Sequence, residues 1–163
     1  MVHFNASPAQ TTLNGGTRAA ALRVLYADDL PELREVTRLS LTRDGHQIEC
    51  YPDAITALAR VTDDPAFDLV ITDHHMPGMS GLEFVRELRK LNFAGRILVF
   101  SSELSPNVTA DYQKLGVDRI IYKPVYPSML RQVLAELFDR PVPATCGTVS
   151  PLSRAPWYQA SNR

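Results

Sequence analysis

"LVITDHHMPGMSG" (residues 69–81) sets an apolar run directly against an aspartate, two histidines and a Met-Pro-Gly turn. Taken with the two residues before it, "FDLVIT" (67–72) is apolar on both alternating faces, as a strand covered on two sides must be. The sequence then turns helical. Ser80 and Glu83 stand at capping-box spacing, and Leu82, Val85, Leu88 and Leu91 form one apolar stripe. The stretch reads strand, acid, turn, helix, with Asp73 at the carboxyl end of a buried strand.

The same unit recurs on both sides. "LRVLYAD" (22–28) is a strand ending in acid, followed by a helix over 31–43 that Pro31 opens and that carries Leu33, Val36, Leu39 and Leu41. "HQIECY" (46–51) is the second strand, after a turn at Asp44-Gly45. Asp53 then caps a helix bearing Ile55, Leu58 and Val61. "RILVFS" (96–101) is the fourth strand, and Ser105-Pro106 opens a helix through Val108, Tyr112 and Leu115 that Gly116 ends. "VDRIIY" (117–122) and a helix over about 126–138, striped by Leu130, Val133, Leu134, Leu137 and Phe138, complete the pattern. Five strands alternating with five helices predict an α/β domain: a doubly wound parallel sheet with right-handed crossovers and helices on both faces.

Composition narrows the function classes. Seventeen basic and eighteen acidic residues leave a formal net charge of -1, which supplies no footprint for nucleic acid, so direct DNA binding is not expected. Cys50 reads as a small core residue, and Cys50 and Cys146 make no metal or redox motif. No secretory leader or membrane-spanning run is visible, so the expected location is cytoplasmic. Residues 1–20 and the proline-rich 139–163 lack either period and are expected to be flexible tails around a domain at 21–138. Trp157 and Tyr158 in the second tail read as exposed aromatics or a short docking motif.

In sheets of this kind ligands sit beyond the carboxyl ends of the strands. Those ends carry Asp28-Asp29, Asp73, Ser101-Ser102 with Glu103, and Lys123-Pro124. Gathered carboxylates repel unless a cation lies among them, and hard oxygen donors with room for water suit Mg²⁺. A lysine and a hydroxyl beside them would neutralise and bond a phosphoryl group, for which an aspartate can be the nucleophile. Each piece also has a plain reading: a turn and helix cap for Asp28-Asp29, a polar strand end for Ser101-Ser102, a solvated Lys123. His74-His75 are neighbours in a loop that point apart and make no zinc pair. Four strand ends carrying matched chemistry favour the site.

"LYADD" (25–29), "DLVITDHHMPGMSGLEF" (68–84), "ILVFSS" (97–102) and "GVDRIIYKP" (116–124) together resemble the receiver domain of bacterial two-component response regulators, over about 70% of the chain. The resemblance implies strand order 2-1-3-4-5. It implies that Asp73 accepts a phosphoryl group from a sensor histidine kinase, a histidine phosphotransfer protein or a small phosphodonor, switching a surface for a downstream protein target. Asp29 would ligate Mg²⁺ directly, Asp28 largely through water, and the backbone carbonyl of His75 would complete the set with Asp73. Ser101 matches the switch hydroxyl, Lys123 the pairing lysine, and Pro124 a proline in cis linkage. Met76, Pro77 and Gly78 shape the loop after the acceptor.

Two positions depart from the family. Ile120 stands where an aromatic usually partners the switch hydroxyl, and Tyr122 is one pleat out of phase for that role. His75 stands two residues after the acceptor, with its side chain expected to face the phosphoryl group. The resemblance implies a signalling domain rather than an enzyme. One rival is a Mg²⁺-dependent phosphatase of the haloacid dehalogenase type, which wants an aspartate at the place of His75 and a substrate cap the chain has no room for. The other is a degenerate receiver that works without phosphorylation, against which the retention of Asp28, Asp29, Asp73, Ser101 and Lys123 argues.

Overall fold

The structure, a computed structural model, describes residues 21–138; the expected tails, Cys146, Trp157 and Tyr158 lie outside the described residues. Chain order is β1 (Arg23–Ala27), α1 (Pro31–Arg43), β2 (Gln47–Tyr51), α2 (Ala54–Asp63), β3 (Leu69–Asp73), α3 (Gly81–Lys90), β4 (Arg96–Ser101), α4 (Pro106–Lys114), β5 (Arg119–Tyr122) and α5 (Pro127–Phe138). The five strands form one sheet in the order β2-β1-β3-β4-β5, as the resemblance implies. Every pairing is parallel, so all carboxyl ends meet along one edge: Ala27 registers with Tyr51 and Thr72, Asp73 with Phe100, and Ser101 with Tyr122.

Alternation along the strands makes two cores. Leu25, Ala27, Val70, Ile97 and Val99 turn toward α2, α3 and α4, while Val24, Tyr26, Ile71, Leu98 and Phe100 turn toward α1 and α5. Fully burying one such large side chain stabilises by about 1.5–3 kcal/mol, which is why strands apolar on both faces end up inside. All five residues of β3 are buried, so the quoted run is the sheet's centre.

The helix boundaries follow local chemistry. The Asp53 carboxylate accepts from Thr56 N at 2.7 Å, and Ser80 and Glu83 close a reciprocal capping box. Ser105 caps α4, and Gly116 turns the chain beyond it at φ +66°. Three expected core positions turn outward. Val36 and Leu39 of α1 and Ile55 of α2 are exposed. On α1 the inward line is Leu33, Thr37 and Leu41, spaced by four, while Val36 and Leu39 fall off its side. Leu91 lies past the end of α3 and is also exposed, and Cys50 is half-buried beside the Arg34 carbonyl. Among the described residues no helix is long and apolar enough to cross a membrane.

Candidate functional site

The edge where the strands end is built first by β1. The Asp28 backbone N–H donates to Tyr51 O at 3.2 Å, extending the ladder one residue beyond the strand. Its carboxylate is fully buried, so it needs partners, and three donors reach it. Tyr26 Oη donates to Oδ2 at 2.7 Å, Lys123 Nζ to the same oxygen at 3.0 Å, and Leu30 N to Oδ1 at 2.9 Å. Arg34 Nη1 holds the Asp28 carbonyl at 2.7 Å, which explains why a charged residue sits on the inner side of α1. Asp29, next in the chain, is exposed.

Asp73, at the end of β3, is 4% exposed. Lys123 Nζ lies 2.9 Å from its Oδ1, and the His75 backbone N–H donates to its Oδ2 at 3.1 Å. The backbone beyond is held tightly: Thr72 Oγ1 donates to Asp73 O, His74 N to Phe100 O and Gly81 N to His74 O. The glycine that ends "MPGMSG" is required here. A Cβ on Gly81 would collide with the Asp73 carbonyl oxygen and stand 3.0 Å from both His74 Cα and Tyr112 Oη. Gly78 takes φ +80° in the same loop, and Met76 is buried beneath it.

Lys123 joins this edge from the far side of the sheet, 95 residues from Asp28. Burial alone would lower its pKa, but the hydrogen bonds to Asp73 and Asp28 outweigh that and raise it, so the ammonium stays charged. Its peptide bond to Pro124 is cis, as expected. Ser101 is fully buried, and its hydroxyl donates to Glu103 O at 2.9 Å.

The structure therefore brings Lys123 into direct contact with both Asp28 and Asp73, with Asp29 just beyond β1 and Ser101 ending β4, the strands on either side of β3. No three His, Cys, Asp or Glu among the described residues stand close enough to form a ready metal cluster. The Lys123 ammonium lies between the two buried carboxylates, 3.0 Å from Asp28 and 2.9 Å from Asp73. Their chemistry still fits Mg²⁺, which takes one or two carboxylates and keeps several waters. His75 is exposed and His74 half-buried; their rings do not point apart as the sequence suggested but meet edge-on, with centroids 4.5 Å apart.

Two tyrosines escaped the sequence reading as site residues. Tyr26, 1% exposed, shares a strand face with Asp28 by the period of two, which was the available signal. Tyr112 of α4 is fully buried, and its hydroxyl meets His74 Nδ1 at 2.8 Å. Burial pushes the Tyr112 pKa up, and the Asp73 charge adds to it; burial and then Asp28 do the same for Tyr26. His74 is shifted down by burial and next by His75. Ile120 packs against the same cluster as Tyr112, whereas Tyr122 is exposed and takes no part.

The chain matches the response regulator receiver domain over residues 24–135. It belongs to that family. Receivers are signalling domains of two-component systems, and this one is 36% identical to part of the sensor histidine kinase AruS of Pseudomonas aeruginosa, over 82% of this chain and 14% of AruS. It is 27% identical to the chemotaxis protein CheY-3 of Vibrio cholerae, over 73% of this chain and 93% of that protein. Among solved structures, the V. cholerae chemotaxis protein CheY4 superposes with a TM-score of 0.67 at 30% identity, covering 72% of this chain and 98% of that one. A CheY-like receiver from Methanospirillum hungatei gives 0.70 at 26% identity, covering 74% of this chain and 95% of that one. The receiver spans 14% and 17% of the first two curated relatives, both far longer proteins.

Proposed function

We propose that Asp73 accepts a phosphoryl group from the phosphohistidine of a sensor histidine kinase or a histidine phosphotransfer protein. A carboxylate oxygen of Asp73 forms the new bond to phosphorus, and the bond from phosphorus to the donor's imidazole nitrogen breaks. The observation that carries this reading is the Lys123 ammonium, 2.9 Å from Asp73 and 3.0 Å from Asp28. A half-buried cation touching the nucleophile can neutralise charge arriving on phosphoryl oxygens, which is most of what this transfer requires. Asp28, Asp29, Asp73 and the His75 carbonyl would hold Mg²⁺, which when bound offsets the negative charge of donor and acceptor together. The Ser101 hydroxyl, free to rotate away from Glu103 O, would bond a phosphoryl oxygen. A downstream protein would read the changed surface, and the cytoplasm is the compartment in which such a donor is met.

Incubation with acetyl phosphate and Mg²⁺, followed by intact mass, tests this. A phosphoryl adduct should form on the wild type and not on Asp73→Asn, and beryllofluoride should bind the wild type alone. No adduct and no beryllofluoride complex would leave the phosphorylation-independent reading. Catalytic turnover of assorted phosphate esters would instead support the phosphatase.

A further inference from the structure

The Tyr112 hydroxyl does more than filling the core requires. Phenylalanine would occupy nearly the same volume without a buried polar atom that must find a partner. The partner it finds is His74 Nδ1, on the residue that follows the acceptor. Among the described residues, no other side-chain hydrogen bond or ion pair joins residues 74–80 to α4. Ile120 of β5 packs on the same cluster but offers no polar atom to that loop.

His74 is also poorly placed to move alone. Its N–H is tied to Phe100 O at 3.0 Å and its carbonyl to Gly81 N at 2.9 Å, while the next N–H, on His75, donates to Asp73 Oδ2 at 3.1 Å. The peptide between His74 and His75 thus touches the acceptor carboxylate at one end and carries the imidazole that holds α4 at the other. A group bonded to Asp73 changes the acceptor of the His75 N–H. Any turn of that peptide is passed to the His74 ring and then to Tyr112. Packing beneath Gly81 leaves no slack, since even a methyl group there would stand 3.0 Å from Tyr112 Oη.

We propose that Tyr112, acting through His74, is a positioning residue of the acceptor loop and is the route by which the occupancy of Asp73 reaches α4. The inference rests on the reading that Asp73 takes the phosphoryl group. Beryllofluoride with Mg²⁺, standing in for that group, separates the two. On the full chain, bound fluoride is read by ¹⁹F NMR and the response by amide shifts of Val108, Asp111 and Leu115, in wild type, Tyr112→Phe, His74→Phe and the double variant.

All four should bind beryllofluoride and shift the amides of His75 and Ser101. The α4 shifts should be present in the wild type and several-fold smaller in each variant, with the double variant losing no more than either single one. An undiminished α4 response in the variants overturns the inference, as does a wild type that binds without moving α4. Should Tyr112→Phe not fold, His74→Phe removes the same bond and decides alone. Absence of bound fluoride in the wild type sinks the acceptor reading itself, and the inference with it.

Discussion

Replacing Lys123 by methionine keeps an unbranched apolar stem and removes the charge that two buried carboxylates share. Each lost charge-assisted hydrogen bond is worth about 1.5–3 kcal/mol, and stripping one partner from a buried ion pair costs about 3–5 kcal/mol. Two observations pull the figure toward the lower end. Asp28 keeps its bonds from Tyr26 and Leu30, and Asp73 keeps its bond from His75. A loss of about 3 kcal/mol follows, a large share of the 5–15 kcal/mol typical of such a domain, and about 10–12 °C in Tm. Mg²⁺, held as proposed above, would supply a replacement cation. At about one hundred times its Kd a ligand stabilises by about 2.7 kcal/mol, and in the variant no ammonium competes for the same oxygens. Urea unfolding and calorimetry in EDTA and in Mg²⁺ measure both effects. A loss below about 1 kcal/mol in EDTA, or an equal gain from Mg²⁺ in both proteins, would refute the reasoning.

Alkaline pH gives a second handle. Tyr26 and Tyr112 have pKa values raised above the ordinary 10.0, so above about pH 10 the unfolded chain releases protons that the folded chain keeps. Their stabilisation is complete below that pH and falls as pH rises past it, by about 1.4 kcal/mol per pH unit for each tyrosine. Urea midpoints between pH 9 and 11 should show that slope, and the Tyr26→Phe, Tyr112→Phe double variant should be flatter; equal slopes would count against it. At neutral pH, Tyr26→Phe alone removes one donor from a buried carboxylate and should cost about 1–2 kcal/mol by urea unfolding. Gly81→Ala must displace the Asp73 carbonyl or Tyr112 and should cost about 2–3 kcal/mol; an unchanged urea midpoint would mean the loop yields freely. Asp53→Ala removes the cap on Thr56 N and should cost about 1 kcal/mol, read as a lower urea midpoint with unchanged slope.

The fold was legible because its signals are local or periodic: strands apolar on both faces, caps at Asp53, Ser80 and Ser105, and a glycine past α4. The carboxyl-end cluster was legible because a parallel sheet gathers strand ends whatever the loops between them do. The inner side of α1 was legible only at Leu33 and Leu41. Its hydrophobic residues suggest Val36 and Leu39, but the helix turns Thr37 and Arg34 toward the sheet, where Arg34 bonds the Asp28 carbonyl. That contact exists only once the helix lies on the sheet. The Tyr112 hydroxyl was hidden differently, since a tyrosine in an apolar stripe looks like packing until its partner, 38 residues away, is known.

Asp28 and Asp29 are chemically identical neighbours, yet they are not equivalent connectors. A carboxylate has about four lone-pair directions, and Asp28 has filled three of them: both on Oδ2, by Tyr26 and Lys123, and one on Oδ1, by Leu30. One direction is left, on Oδ1. Whatever arrives at this edge, ion or water, meets a charge that accepts from a single bearing, beside a neighbour that accepts from many. The angle of approach is thereby set jointly, by a tyrosine two residues upstream in β1, by the lysine that follows β5 and by the Leu30 N–H of the loop itself.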